Sequence, residues 1–311
     1  MPSLTVICPV YNEESVIRLF YESLKKTLDA VKGYQCEVLF VVDRSKDKTL
    51  EILRDIAAND GNVKVLSLSS RFGHQMSIVA GIDHAQTDLL IMMDSDLQHP
   101  PELIPKMLSQ YEEGYEVVHA LRKWPADKSK VKKLASKAFY QILNRFSEVK
   151  IESGAADFRL ISRRVADVFR SKIREQNQFL RGLFRWVGFR QVNIEFVPAA
   201  RVSGMTKYDW SRLLKFAMSG ITSFSRKPLQ YAIGLGLLTA TFGLVFGIFA
   251  IVSYFFTDQM PSGWATLATI ISFLGGIQLI FLGVLGEYVG AIFDEVKRRP
   301  LYVIEESINI E

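Results

Sequence analysis

Residues 89–102 read LLIMMDSDLQHPPE: five apolar residues run into two carboxylates spaced one apart, followed by a histidine and two prolines. A buried strand has no use for two negative charges at its end, because an unpaired carboxylate in an apolar setting costs several kcal/mol or more. The pair therefore demands a cation, and the strand before it demands a sheet. Upstream, the short β-rich runs LTVICPV (4–10), CEVLFVV (36–42) and VKVLSL (63–68) alternate with helix-like stretches near residues 14–31, 48–58 and 75–84. Strand then helix, repeated, predicts an α/β domain with a mostly parallel sheet covered on both faces, and such sheets bind ligands at the carboxyl ends of their strands. Asp94 and Asp96 follow the fourth run there, as Pro9 to Glu13 follow the first and Asp43 to Asp47 the second.

Outward from this domain the composition changes. The chain has 311 residues, 49% of them hydrophobic. Residues 228–257 and 259–286 hold no charged side chain, with Asp258 alone between them. Each run exceeds the ~20 residues a helix needs to cross a bilayer. The linking TDQMPSGW supplies turn residues and an interfacial Trp264. Arg212, Lys215, Arg226 and Lys227 precede the first span, Lys297, Arg298 and Arg299 follow the second, and the hairpin has no Lys or Arg. The positive-inside rule then puts both flanks, and the N-terminal domain, in the cytoplasm of a cell whose inner membrane the hairpin crosses. The basic amphipathic segments 128–150 and 208–227 suit the headgroup region, although the first reads equally well as an ordinary core-facing helix.

The expected organisation is a catalytic domain over 1–207, an interfacial helix over 208–227, membrane helices over 228–257 and 265–290 around a hairpin at 258–264, and a cytoplasmic tail from 291 to 311. Cys8 and Cys36 read as buried thiols of a reducing compartment. Met1 to Pro9 leads directly into a strand-like run, so no signal peptide is expected. The net charge of +5 is better matched by anionic lipid or an anionic substrate than by nucleic acid, given the two spans.

Carboxylates at i and i+2 on a turn suit one hard divalent ion, Mg2+ or Mn2+, that keeps sites open for phosphate. His99 follows closely enough to reach that ion or a phosphate. His74, His84 and His119 carry no motif that assigns them a role.

CPVYNEE (8–14), VVDRSKDKT (41–49), SRFGHQMSIVAGIDHA (70–85) and MMDSDLQHPPE (92–102) together resemble family 2 glycosyltransferases with the GT-A nucleotide-sugar-binding fold. SGAADFRLISRR (153–164), FLRGLFRWVGF (179–189), RVSGMTKY (201–208) and GEYVGAIFDEVKRRPLY (286–302) narrow the resemblance to polyprenyl-phosphate sugar transferases, above all the bacterial enzymes that glucosylate undecaprenyl phosphate. Dolichyl-phosphate mannose synthases are also similar. The resemblance implies a metal-dependent inverting hexosyl transfer, with glucose from UDP-glucose as the leading donor and GDP-mannose or a modified UDP-sugar as alternatives.

It implies that Pro9, Tyr11, Glu13, Asp43, Asp94 and Ser95 border the nucleotide sugar, that Asp94 and Asp96 hold the metal with His99 beside them, and that Asp157 with Asp96 serves catalysis. The family usually reads Asp-Gly-Ser where this chain has Asp43-Arg44-Ser45. Arginine adopts glycine's positive φ only at a cost, so a different loop shape is expected. Asp157 is a base, an orienting group, or a structural partner of Arg159 or Arg163. Arg201, Lys207 and Arg122 are candidates for the acceptor phosphate, against plain contact with lipid headgroups. A homo-oligomer is implied too, a tetramer among the options. Processive polysaccharide synthases share the first domain, but Gln178-Phe179-Leu180-Arg181 is followed here by Gly182 rather than Trp. A non-catalytic membrane scaffold is the rival from another class.

Overall fold

The structure is a computed structural model and describes residues 1–123, 154–198, 225, 227–256 and 263–310. The segment 128–150, most of 208–227, the hairpin tip, Arg201 and Lys207 lie outside the described residues.

Eight strands form one sheet in the order β7-β5-β6-β4-β1-β2-β3-β8. They are β1 Ser3–Val10, β2 Gln35–Val42, β3 Val63–Leu68, β4 Leu89–Met92, β5 Val117–Arg122, β6 Ala155–Ser162, β7 Gln191–Phe196 and β8 Ile304–Ile308. β1 pairs in parallel with β2 and β4, β2 with β3, and β5 with β7. β6 runs antiparallel to β4 and β5, and β8 antiparallel to β3. The sheet is thus mostly parallel, as the strand–helix alternation predicts.

Pleating sends alternate residues to opposite faces, and each face is apolar. Val6, Cys8 and Val10 of β1, Phe40 and Val42 of β2, and Leu89 and Ile91 of β4 pack in one core layer. That layer is covered by α1 (Ile17–Ala30), α2 (Thr49–Asn59) and α4 (Ile104–Glu112). Ile7, Leu39, Val41, Leu90 and Met92 pack in the other, beneath α3 (His74–His84), α5 (Arg163–Ser171) and α6 (Leu180–Trp186). The helices earn their places by spacing: Ile17, Phe20, Leu24 and Leu28 recur every three or four residues on α1 and are buried. On α3, Gly81 lets the helix lie directly on β1, since a Cβ there would overlap the Ile7 side chain.

Strand order reverses at β1 and β4, because β1 leads to β2 on one side while β4 lies on the other. Their carboxyl ends open the crevice in which doubly wound sheets bind ligands. β6 runs the other way, so its first residues, Asp157 among them, reach the same edge.

α7 (Lys227–Phe256) and α8 (Trp264–Val296) are each long and apolar enough to cross a membrane. α8 outruns the expected span end at residue 290. The uncharged run stops at Glu287, but nothing breaks the helix before Arg298, at φ 47°, and Pro300. The tail expected at 291–311 is also more than a tail. β8 closes the sheet against β3, Arg54 forks onto Glu306 (3.1 and 2.5 Å), and the Asn309 amide donates to the carbonyls of Ala57 (2.9 Å) and Val63 (2.8 Å).

Candidate active site

The loop after β4 carries the acidic pair. Met93 N–H donates to Ile7 O (3.1 Å) and the Ser95 hydroxyl to Pro9 O (3.2 Å), so the loop is tied to the end of β1. Asp96 Oδ1 accepts from Gln98 N–H (3.1 Å), a local turn typical of Asp, and Leu97 turns the chain at φ 62°. Asp94 is held through its backbone, whose N–H donates to His99 Nδ1 (2.9 Å). Asp94 Oδ1 is buried and makes no hydrogen bond.

That bond decides the state of His99. A backbone N–H can only donate, so Nδ1 accepts and the neutral ring carries its proton on Nε2. The ring is fully buried, stacked on Phe158 (5.1 Å between centroids) and edge-on to Phe196 (5.7 Å). Burial pushes its pKa down despite Asp94 nearby. With one nitrogen engaged, the other protonated and no exposed edge, His99 is placed as a brace for Asp94 rather than as the metal ligand its sequence position suggests. Arg122 Nη2 sits 3.0 Å from His99 Nε2, where two donors face each other, and Arg122 Nε is buried without a hydrogen bond. Arg122 is thus a cation at the site edge, 3.9 Å from Asp94 Oδ2, with donors to spare for an anion.

The loop after β2 also differs from expectation. Asp43 is 4% exposed, and its carboxylate accepts from Phe72 N–H (2.7 Å) and Gly73 N–H (3.0 Å). It braces the loop that leads into α3, with one N–H on each carboxylate oxygen and a further lone pair left on each. Arg44 keeps the left-handed turn a glycine would make (φ 31°), a conformation that costs on the order of 1–3 kcal/mol in other residues. Its guanidinium offsets that by bonding Ser69 O, with Glu305 of the C-terminal segment 3.8 Å away.

Among the other nucleotide-side candidates, Pro9, one residue before the end of β1, lies under the Ser95 hydroxyl and Tyr11 follows the strand, with the Arg71 guanidinium 4.2 Å above its ring. Asn12 (φ 54°) locks the first loop to the second: its N–H donates to Ser45 Oγ (3.0 Å) and its Oδ1 accepts from Lys46 N–H (2.8 Å). Glu13 N–H donates to Thr49 Oγ1 (2.9 Å), and Glu13 O starts α1 by accepting from Val16 and Ile17.

Asp157, near the start of β6, is 5% exposed and ringed by cations. Arg159 Nη2 donates to Oδ1 (3.0 Å), while Arg181, from the first turn of α6, gives Nε to Oδ1 (3.0 Å) and Nη2 to Oδ2 (2.7 Å). Burial pushes the carboxyl up, but Arg181, His74 and Arg159 outweigh it and hold it well below the usual carboxylate range. Arg159, itself 2% exposed and stacked on Phe184 (4.5 Å), is pulled down to about 10 by burial and stays cationic at neutral pH.

The edge therefore brings together Pro9, Tyr11, Asp94, Ser95, Asp96, Arg122 and Asp157. Sequence reasoning missed His74 and Arg181. His74 begins α3, with Nε2 3.4 Å from Asp94 Oδ1 and 3.6 Å from Asp157 Oδ2. The one signal for it was a Gly-His step at a helix start.

The unpartnered buried oxygen of Asp94 and the Asp96 carboxylate two residues on fit a hard divalent cation. No cluster of three or more His, Cys, Asp or Glu able to hold a metal occurs among the described residues. Such an ion would take its remaining ligands from water and phosphate, the habit of Mg2+.

An α/β sheet with carboxylates at its switch point marks where such a fold binds its ligand, and comparison gives the class. Residues 5–169 match glycosyl transferase family 2, and the chain belongs to that family as a membrane-associated glycosyltransferase. It is 43% identical to the uncharacterized glycosyltransferase YkcC of Bacillus subtilis, over 99% of this chain and 94% of that protein. It is 38% identical to the SfII prophage-derived bactoprenol glucosyl transferase of Shigella flexneri, over 98% of each chain. The prophage bactoprenol glucosyl transferase homolog of Escherichia coli K12 is 37% identical over 97% of this chain and 98% of its own. Among solved structures, glucosyl-3-phosphoglycerate synthase of Mycobacterium tuberculosis aligns with 71% of this chain and 79% of its own, at 20% identity and a TM-score of 0.46.

Proposed function

We propose that this glycosyltransferase moves a hexose, glucose from UDP-glucose, onto a polyprenyl phosphate of the undecaprenyl type. The observation that carries the acceptor class is the state of Asp157. A carboxylate held by two arginines and depressed in pKa is a poor proton acceptor. An alcohol acceptor must lose a proton, whereas a phosphate monoester, with a second pKa of about 6, arrives largely dianionic. The names of the bactoprenol relatives point to the same acceptor.

In this reading a phosphate oxygen of the lipid bonds to the anomeric carbon as the bond from that carbon to the β-phosphate oxygen breaks, and the electron pair leaves with UDP. One displacement inverts the centre, giving a β-linked product from an α-linked donor. Asp94 and Asp96 would hold a divalent ion, which when bound supplies neutralising charge to the departing diphosphate. Tyr11 and Arg71 line the nucleotide side, Ser95 and Pro9 fix the loop between, and Asp157 orients the acceptor side. Arg122 offers its unpaired donors to phosphate, and Arg201 and Lys207 precede the first span where a lipid headgroup would lie. The pairing of β8 with β3 supports an even number of membrane crossings, with both flanks of the hairpin on the catalytic side.

The test is transfer by the purified protein in detergent, with UDP-glucose, undecaprenyl phosphate and Mg2+ or Mn2+, beside GDP-mannose and a chelator control. Chelator-sensitive glucosyl-lipid formation is expected. Transfer only from another donor would overturn the glucose assignment, and no transfer from any sugar nucleotide would overturn the reaction.

A further inference from the structure

We propose, resting on that reaction, that His74 is a positioning residue that ties the donor-side carboxylate, Asp94, to the acceptor-side carboxylate, Asp157.

His74 is delivered by a segment pinned on every side. Ser69 N–H donates to Val303 O (2.9 Å) in the C-terminal segment, and Arg44 bonds Ser69 O. Asp43 takes Phe72 and Gly73 N–H, and Gly73, at φ 93°, turns the chain into α3. One residue on, Gln75 Oε1 accepts from Leu180 N–H (2.9 Å), which joins the start of α3 to the start of α6. His74 and Arg181 thus reach Asp157 from two elements braced against each other.

The Nε2 of His74 lies 3.4 Å from Asp94 Oδ1 and 3.6 Å from Asp157 Oδ2. Asp94 Oδ1 is the buried oxygen without a hydrogen bond. Both distances exceed the ~2.7–3.2 Å of a formed bond, so a single N–H is poised between two acceptors. It can serve only one fully. When Asp94 turns to the divalent cation that would accompany the donor diphosphate, the His74 N–H is left to Asp157, which then receives donors from β6, α6 and α3 together. Donor binding on one side of the crevice thereby stiffens the carboxylate on the other before the acceptor arrives.

The experiment uses the full chain in detergent. The four histidines of the sequence, 15N-labelled, give a countable set of ring signals. In the wild type the His74 signal, assigned through His74→Gln, is expected to move on addition of UDP with Mg2+. In kinetics, His74→Ala should lower kcat about 100-fold, the scale of a misplacement near 1 Å, while UDP-glucose Kd stays within about 3-fold. His74→Gln, which restores an N–H near the Nε2 position, should recover part of the loss. Unfolding temperatures should match the wild type, since the side chain is 43% exposed. An unchanged kcat in His74→Ala, a loss lying wholly in donor Kd, or a ring signal indifferent to UDP would each overturn the tie. A wild type that transfers no sugar refutes the reaction instead, and the ring signal then decides the tie alone.

Discussion

Replacing Asp157 by Asn keeps volume and shape but removes the charge that two arginines share. Three hydrogen bonds end on that carboxylate, at 3.0, 3.0 and 2.7 Å. In the variant one amide end presents N–H groups to guanidinium donors, and Arg159, 2% exposed, is left with its positive charge beside that of Arg181. Breaking a buried pair by removing one partner costs about 3–5 kcal/mol. At ~2–4 °C per kcal/mol for a domain of this size, the apparent unfolding temperature should fall by roughly 6–20 °C. The sign with pH follows from the depressed carboxyl. Its contribution is complete above the unfolded value of about 3.9 and is lost only as pH falls through the lower folded value. The deficit of Asp157→Asn should therefore be constant from neutral pH to about 5 and shrink only below about 4. Thermal scans of detergent-solubilised wild type and variant across that range, paired with transfer rates, measure it. A variant as stable as the wild type at pH 7 would refute the ion-pair account of Asp157, and with it the reason for denying it a base's role.

Asp96→Ala should abolish transfer with little change in unfolding temperature, because Asp96 makes one local turn bond, to Gln98 N–H; scans beside turnover separate it from Asp157→Asn. His119, buried in β5 and donating to Gln191, is pushed down to about 3 by burial. The unfolded chain takes that proton first, so stability should decline by about 1.4 kcal/mol per pH unit from 6.5 towards 3, and His119→Phe should flatten the slope in acid unfolding curves. Ending the chain at Pro300 removes β8 and bares the β3 edge; light scattering should show association, and amide exchange at 65–69 should rise. Asp258→Cys should react with an impermeant thiol reagent from the face opposite Glu311→Cys in oriented membranes, and labelling of both from one face would refute the hairpin.

The first four strands were legible because β1 to β4 bury nearly every residue and so read as short apolar runs between helical periods. β6 was not, because Asp157 and Arg159 interrupt it, and their burial becomes affordable only through each other and Arg181. β8 was hidden for the opposite reason: IEESI carries two glutamates, a usual guard on an edge strand. At the site, the Asp94–Asp96 pair announced itself by standing at the end of an apolar strand. His99 misled by proximity, since nothing in DLQHPPE reveals the rings of Phe158 and Phe196 that enclose it. The bracing role of Asp43 was hidden likewise, for its partners lie 29 and 30 residues away. His74 had only the Gly-His step as a local signal, because its two carboxylates come from β4 and β6.

The return of the chain as β8 gives the proposed membrane hairpin a defined relation to the proposed chemistry. Helix α8, with 33 residues at about 1.5 Å each, is longer than the ~30 Å hydrocarbon core, and its last turns, from Glu287 on, carry charge. Those turns end on the catalytic domain. Gln176 N–H donates to Glu295 (2.9 Å), the Gln176 amide donates to Arg299 O (2.5 Å), and the Tyr302 hydroxyl donates to Asp83 (2.7 Å). Gln176 lies just ahead of α6, whose Arg181 grips Asp157, while Val303 and Glu305 hold the segment that delivers His74 and the Arg44 loop. The elements that carry Arg181 and His74 are thus both fastened to the chain that leaves α8. A polyprenyl acceptor cannot leave the bilayer, so an enzyme using it gains most from rigidity at this junction. A flexible linker of the same length would keep the domain near the membrane but would not fix which way the crevice faces.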